Sequence, residues 1–291
     1  MTDNTRAILL MNVAMLAFTL NDACMKAVSE TLPLFQAIFL RGVATTLALL
    51  GLAAMQGQLR FVPGPGDRAR IGWRTLAEVV STATFLLALT HMPIANLSAI
   101  MQALPLAVTL GAALWFGERL DAARLLAIMI GFAGVLLIIR PGTEGFDRWA
   151  LLGLASMAFV TLRDLMTRGL SRSVPSSAVA VWAALAVAVM GGVVTLQQGW
   201  QTVSLTQAAL LAGATVNLII GYLTVVMVMR VGDIGVVAPF RYMALLWAIL
   251  IGAGVFGAWP DGLTLIGSAI VVASGLFTLL ADRLRRQRRT A

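Results

Sequence analysis

Three ionisable residues lie inside stretches of sequence that are otherwise apolar: Arg41, Glu78 and Arg241. At about 1.5 Å of rise per residue, they lie roughly 9–14 Å from the nearer end of their segments. A charge near the centre of a bilayer costs about 2.5–3.5 kcal/mol, so such a side chain faces a partner or a water-filled cavity. A guanidinium group binds a carboxylate well, which makes each arginine a candidate binding residue. The structural alternative is that an arginine pairs with Glu78 or caps backbone carbonyls and locks the fold.

A second pattern of charges occurs twice. The stretch AFTLNDACMK places Asp22 four residues before Lys26, and AFVTLRDLMTR places Asp164 four residues before Arg168. Because residues at this spacing meet on one helix face, each acid is predicted to pair with the following base near a helix end. Asp22 and Asp164 are also candidates for a gate or a proton carrier, and both interpretations stay open.

Polar and aromatic side chains also line one face of two proline-containing segments. The first set recurs at i, i+3, i+4 and i+7 and comprises Ser98, Met101, Gln102 and Pro105. The second set lies about 140 residues later and comprises Pro239, Arg241 and Tyr242. A proline removes a backbone hydrogen bond and permits a kink, so both segments are predicted to bend beside a cavity, with Pro105 and Pro239 as hinges. An ordinary packing kink is the alternative. Further candidates for the cavity wall are Phe85, Trp182, Asn217 and Tyr222.

The elements that must position these residues are membrane helices. Hydrophobic residues make up 59% of the 291 residues and charged residues only 12%, whereas soluble domains average about 25% charged. The mean hydropathy is +0.91. Cutting the chain at charges, glycines and prolines leaves ten apolar segments, each long enough to span a bilayer as a helix. They cover residues 6–27, 32–55, 72–91, 95–116, 121–139, 149–169, 176–197, 207–229, 234–256 and 262–281.

The basic residues predict the orientation of these helices. Most of the 21 bases fall on one side if the segments alternate across the membrane, and this side includes both chain termini. Because basic loops stay in the cytoplasm, both termini are predicted to be cytoplasmic. Topology also accounts for the net charge of +8 and for the basic C-terminal tail, so no nucleic-acid partner is expected.

The chain is predicted to contain an internal repeat. At an offset of about 140 residues, Gly117 matches Gly257 and Asp121 matches Asp261, while Pro33 matches Pro175 at a similar offset. Residues 1–140 and 141–291 therefore predict two five-helix units. Since five is an odd number, the second unit enters the membrane from the opposite side. Inverted repeats are typical of secondary transporters, whose substrate site lies between the halves.

Two longer stretches carry a resemblance to a known family. WFGERLDAARLLAIMIGFAGVLLIIRPG closes the first half, and PLFQAIFLRGVATTLALL forms the second segment. These resemble the EamA branch of the drug/metabolite transporter superfamily, and the overall pattern is most similar to exporters of amino acids, aromatic ones especially. The second half departs from the family pattern where Ala258 stands in place of Glu118.

The resemblance implies a secondary exporter in the bacterial inner membrane that works by alternating access. Arg41 or Arg241 would then bind the carboxylate of an amino acid and Glu78 its ammonium group. Export of other small metabolites or of cationic drugs such as methyl viologen is the first alternative. A non-transporting membrane sensor or lipid-interacting protein is an alternative of a different class.

Enzyme functions find no support in the sequence. It has no nucleophile elbow, no zinc-protease motif and no phosphate-binding loop. One cysteine, Cys24, and one histidine, His91, predict neither a disulfide nor a metal site. No cofactor and no catalytic residue is therefore expected. The expected partners are a small-molecule substrate and the lipid bilayer, with the chain a monomer or weak homodimer.

Overall fold

The computed structural model describes residues 3–55, 64–118, 120–141, 147–171, 173–231 and 233–290, and these form helices joined by short turns and loops. The first helices are α1 (Asp3–Ser29), α2 (Leu34–Met55), α3 (Pro65–His91), α4 (Ile94–Met101), α5 (Leu104–Phe116) and α6 (Ala122–Ile139). The remaining ones are α7 (Ala150–Arg168), α8 (Ser176–Gln198), α9 (Leu205–Val231), α10 (Ile234–Val237), a 3₁₀ helix (Ala238–Tyr242), α11 (Met243–Phe256) and α12 (Gly262–Thr290). The described part of the chain is thus all-helical, as predicted.

Nine segments of the described chain are long and apolar enough to cross a membrane. They correspond to nine of the ten predicted segments, with boundaries that agree within a few residues. The third predicted segment, inside α3, is not among them. This helix carries Arg74 and Glu78 together with one serine and four threonines, which lower its hydropathy.

Both proline-containing segments are interrupted, as predicted. The fourth breaks between α4 and α5, and Pro105 lies in the first turn of α5, where the missing N–H costs little. The ninth breaks at a 3₁₀ helix that contains Pro239. Each interrupted segment ends at a glycine with a left-handed backbone, Gly117 at φ 67° and Gly257 at φ 63°, a conformation in which glycine commonly terminates helices.

Helices from residues 1–140 pack chiefly against helices from residues 141–291. The main pairs are α1 with α9, α2 with α8, α3 with α7 and α6 with α12. Glycines permit the close approaches: a Cβ on Gly134 would lie 2.9 Å from the carbonyl oxygen of Gly267. Gly131 and Gly134 pack α6 against α5 and α12 within the same chain.

The two ends of the helix bundle differ in packing. We call them the Asp3 end, where α1 begins, and the Lys26 end, where α1 stops. The largest buried apolar cluster extends from the centre to the Lys26 end and includes Met25, Leu89, Ile94 and Ile139. At the Asp3 end, the described residues form two separate smaller clusters. One joins α1 to α9, α10 and α11, and the other joins α5 to α7.

Candidate functional site

A cavity of about 420 Å³ lies between the helices, and a smaller lobe of about 160 Å³ adjoins it. Asp22, Phe85, Met101, Val160 and Arg163 line both. This volume falls within the range of about 300–1,000 Å³ that is usual for small-molecule sites. Apolar and aromatic side chains form most of the larger wall, and a few polar groups interrupt them. The arrangement can therefore enclose a small organic molecule and orient it through those groups.

The predicted face of the fourth segment lines the larger cavity. All four of its residues, Ser98, Met101, Gln102 and Pro105, belong to the wall. Gln102 follows the last residue of α4, and its side-chain amide donates a hydrogen bond to the backbone carbonyl of Tyr242 at 3.4 Å. Tyr242 stands 140 residues later, at the break in the other interrupted segment. The two breaks thus meet in the cavity wall.

Arg241 is the exposed charge of this wall. It follows Pro239 in the 3₁₀ helix, and its side chain lines the larger cavity. Among the described residues, its guanidinium group has no hydrogen bond and no ion pair. The predicted pairing of Arg241 with Glu78 is therefore not formed. An unpaired guanidinium in a cavity can bind an anionic group of a ligand through two parallel hydrogen bonds.

Arg41 is buried, with 8% of its surface exposed, and lines the smaller lobe. Its Nη1 donates a hydrogen bond to Oδ1 of Asn21 at 3.0 Å, and Nδ2 of Asn21 donates one to Asp22 at 2.9 Å. Asn21 therefore links the arginine to the acid. Arg41 was predicted to bind a carboxylate directly, but Asn21 already occupies part of its guanidinium group.

Glu78 lies between two arginines. One carboxylate oxygen lies 3.3 Å from Nη1 of Arg163 and the other 3.7 Å from Nη2 of Arg74. Arg163 also contacts Asp164 at 2.9 Å. The structural alternative proposed for Glu78 is thus realised with partners that were not predicted, since neither Arg41 nor Arg241 is its ion-pair partner.

Both predicted i, i+4 ion pairs are wrong. Asp164 pairs with its neighbour Arg163, and Arg168 pairs with Glu118 across the α5–α7 contact. Asp22 bonds to Asn21, while Lys26 turns to the end of α3. The physical reason is that each acid is satisfied by its sequence neighbour, while each base finds a partner outside its own helix. The long basic side chains can reach them.

Five predicted residues lie outside the cavity wall. Trp182 is 58% exposed on the outside of α8, and Nδ2 of Asn217 donates a hydrogen bond to the carbonyl of Gly213 in its own helix. Tyr222 is partly buried on α9, and Asp164 is held by Arg163. Pro239 shapes the break next to the wall residue Ala238. The roles proposed for these residues stay predictions.

Sequence reasoning missed the residues that connect the predicted ones. Arg163 lines both parts of the cavity and holds Glu78, and Asn21 bridges Arg41 to Asp22. Arg163 carried a signal, because it is a charge within an apolar segment next to Asp164. Asn21 had a weaker signal, because an amide beside an acid is common at helix ends. No cluster of three or more metal-ligating side chains occurs among the described residues.

The first half of the chain matches a known family. Residues 5–140 match the EamA-like transporter family. A solved crystal structure has the same fold with a TM-score of 0.64 and 23% identity, and the match covers 97% of this chain and 99% of the other.

Full-length relatives carry transporter names. A riboflavin transporter of Rhizobium johnstonii is 29% identical over 84% of this chain and 78% of the relative. An S-adenosylmethionine uptake transporter of Rickettsia conorii is 22% identical over 95% of this chain and 93% of the relative. A pseudopaline exporter of Pseudomonas aeruginosa is 24% identical over 92% and 93%. These names support a transporter of small molecules and do not single out amino acids.

Proposed function

We propose that the whole chain is an EamA-like transporter that moves a small organic molecule by alternating access between residues 1–140 and 141–291. The family match ends where the first predicted half ends. The main helix pairs also support two related halves. Exchanging each helical segment with its counterpart five segments later converts the α1–α9 pair into the α7–α3 pair and maps the other main pairs onto themselves. Since one chain supplies both halves of the cavity, a monomer suffices.

The substrate class follows from the charges in the wall. Arg241 is exposed in the cavity and unpaired among the described residues, so it is the best candidate for a carboxylate. Glu78 is held by two arginines, which leaves Asp22 as the better partner for an ammonium group. Asp22 lines both parts of the cavity, and among the described residues it accepts one hydrogen bond, from Asn21. We therefore infer a substrate with an amino-acid head group and a side chain that packs against Phe18 and Phe85.

The membrane location of the protein and the direction of transport are part of the same proposal. We assign the protein to the bacterial inner membrane with both termini in the cytoplasm, as the distribution of arginines predicts. Export is predicted from the resemblance of the sequence to amino-acid exporters. The names of the relatives include both an uptake transporter and an exporter, so they favour neither direction.

The experiment is flux into and out of proteoliposomes. Labelled phenylalanine and threonine are compared with riboflavin and methyl viologen, each with and without a pH gradient. The unpaired arginine is the observation that carries the proposal, so Arg241→Ala is the decisive variant. A hydrogen bond to a charged group contributes about 1.5–3 kcal/mol, so amino-acid flux at low substrate should fall about tenfold to a hundredfold. Arg241→Lys should retain part of the flux, because lysine keeps the positive charge but cannot donate the two parallel hydrogen bonds of a guanidinium group.

Riboflavin is the second candidate, favoured by the 29% identity to a riboflavin transporter and by the aromatic residues in the wall. It has no carboxylate, so its flux should be insensitive to Arg241→Ala. Unchanged amino-acid flux in that variant would contradict the role of Arg241. Binding without flux of any of the four compounds, from folded protein, would favour the sensor instead.

A further inference from the structure

Lys26 contacts two other helices, although its spacing from Asp22 predicted an ion pair within α1. Its Nζ donates hydrogen bonds to the carbonyl of Leu89 at 2.6 Å and to that of Met92 at 3.0 Å. Because α3 ends at His91, these are terminal carbonyls without a partner inside the helix. The ammonium group also stands 5.8 Å from the ring of Phe256. Lys26 thus ties α1 to α3 and α11.

Arg168 occupies the corresponding position in the second half, at the Asp3 end. Its guanidinium lies 5.4 Å from the ring of Phe116, which precedes Gly117 just as Phe256 precedes Gly257. The cation–aromatic contact is therefore the same in both halves. The difference lies in the remaining partner, because Arg168 pairs with Glu118 rather than with the end of a helix. Ala258 stands at the position of Glu118 in the other half, so Lys26 has no such competitor.

The packing of the two ends agrees with this difference. The buried core is continuous at the Lys26 end, where Lys26 bonds to the end of α3. Among the described residues, it is split into two clusters at the Asp3 end. We infer from this difference that the molecule is closed at the Lys26 end and open at the Asp3 end.

We propose that Lys26 and Arg168 are alternating latches, and that Glu118 biases the protein towards the state seen here. In the opposite state, Lys26 releases the end of α3, and Arg168 leaves Glu118 to bind the terminal carbonyls of α9. In both states, Lys26 keeps its contact with the ring of Phe256 and Arg168 keeps its contact with the ring of Phe116. The proposal rests on the proposed alternating access and adds which residues set the balance of its two states.

Labelling of a cavity cysteine tests the latches without any substrate. In a Cys24→Ser background, Thr82→Cys places a thiol in the wall of the smaller lobe. A membrane-impermeant maleimide is applied to right-side-out and inside-out vesicles. Glu30→Cys, an exposed site at the Lys26 end, reports in a parallel sample which vesicles present that end. In the parent protein, Thr82→Cys should react faster from the Asp3 end.

Lys26→Met should raise the labelling rate from the Lys26 end at least threefold, and Lys26→Arg should restore the parent rate. Glu118→Ala, which copies the residue found in the other half, should shift the rate in the same direction by freeing Arg168. Arg168→Met is the matched control for Lys26→Met and should not raise this rate. In the double variant Glu118→Ala/Arg168→Met the effect of Glu118→Ala should vanish, because Glu118 acts only through Arg168.

The labelling rates test the latches separately from the proposed substrate. Parent labelling rates in both Lys26→Met and Glu118→Ala would overturn the latches. If Lys26→Met does not fold, Glu118→Ala and the double variant decide alone, since Glu118 and Arg168 have side chains that are 45% and 55% exposed. An effect of Glu118→Ala that survives Arg168→Met would also overturn the proposal. A failure to transport amino acids, with the labelling shifts present, would refute only the proposed substrate.

Discussion

The Lys26 end and the Asp3 end of the bundle contain similar sequence patterns. The two ends differ in the contacts and the burial of these residues. At the Lys26 end, the amide of Gln36 is buried with 0% of its surface exposed and bonds to the backbone of Gln201 twice. At the Asp3 end, Arg168 and Glu118 form an ion pair that is about half exposed. The difference teaches that a duplicated pattern need not produce duplicated contacts.

The comparison predicts first that added volume is not tolerated where α2 packs against α8, towards the Lys26 end. A Cβ on Gly191 of α8 would lie 2.7 Å from the backbone nitrogen of Phe39 and 2.9 Å from the carbonyl oxygen of Phe35. Backbone atoms cannot rotate away, so Gly191→Ala must separate α2 from α8. We expect a loss of about 3 kcal/mol in the free energy of unfolding, the upper part of the usual range for overpacking. Unfolding of purified protein by denaturant in detergent measures it.

Gly51→Ala is the control on α2, because nothing lies within 4 Å of a Cβ there. Alanine is a better helix former than glycine by up to about 1 kcal/mol, so this variant should be neutral or slightly more stable. Equal losses in the two variants would show that the ends do not differ in packing as described.

A second prediction removes the buried amide at the Lys26 end. Gln36 donates to the carbonyl of Gln201 at 2.7 Å and accepts from its N–H at 3.0 Å. Gln36→Met keeps the length of the side chain and leaves both backbone groups unpaired, at an expected cost of about 1–3 kcal/mol. Gln207→Met is the control, because Gln207 bonds to Thr31 at an exposed site where water can replace the amide. Thermal unfolding should rank Gln36→Met well below Gln207→Met, and a reversed order would contradict the assignment.

Much of the architecture was predictable because it depends on local properties. Apolar length and helix breakers predicted nine of the ten membrane segments to within a few residues, and helical periodicity placed Gln102 and Pro105 on one face of the cavity. Inward-facing polar groups follow from the cost of exposing them to lipid. These predictions need only one helix at a time.

Pairing of the charges could not be predicted, because it depends on how neighbouring helices are rotated and spaced. Asp22 and Lys26 have the right spacing for an ion pair, yet Lys26 instead donates hydrogen bonds to two carbonyls at the end of α3. Glu78 likewise takes Arg163 from another helix as its partner. The sequence shows which charges need partners, and the packing decides which partners they receive.

The smallest expected effect is at the Asp3 end, where Asp67 in the first turn of α3 joins the α7–α8 connection. It accepts hydrogen bonds from the hydroxyl of Ser171 at 2.6 Å and from its N–H at 3.2 Å. These bonds, with a smaller contribution from Arg70, hold the pKa of Asp67 below its ordinary value of 3.8. Since the folded protein binds this proton less readily than the unfolded chain, the stabilisation is present above that value and is lost as the pH falls through the lowered pKa.

Asp67→Asn keeps an acceptor for Ser171 and loses the charge, so its melting temperature at pH 7 should lie only slightly below that of the parent. The gap should close as the pH is lowered below about 3.8. Ser171→Ala removes the hydroxyl donor while leaving Asp67 ionisable, and should abolish most of this pH-dependent difference. A gap that stays constant down to pH values where Asp67 is protonated would mean that the Asp3 end gains nothing from this charge.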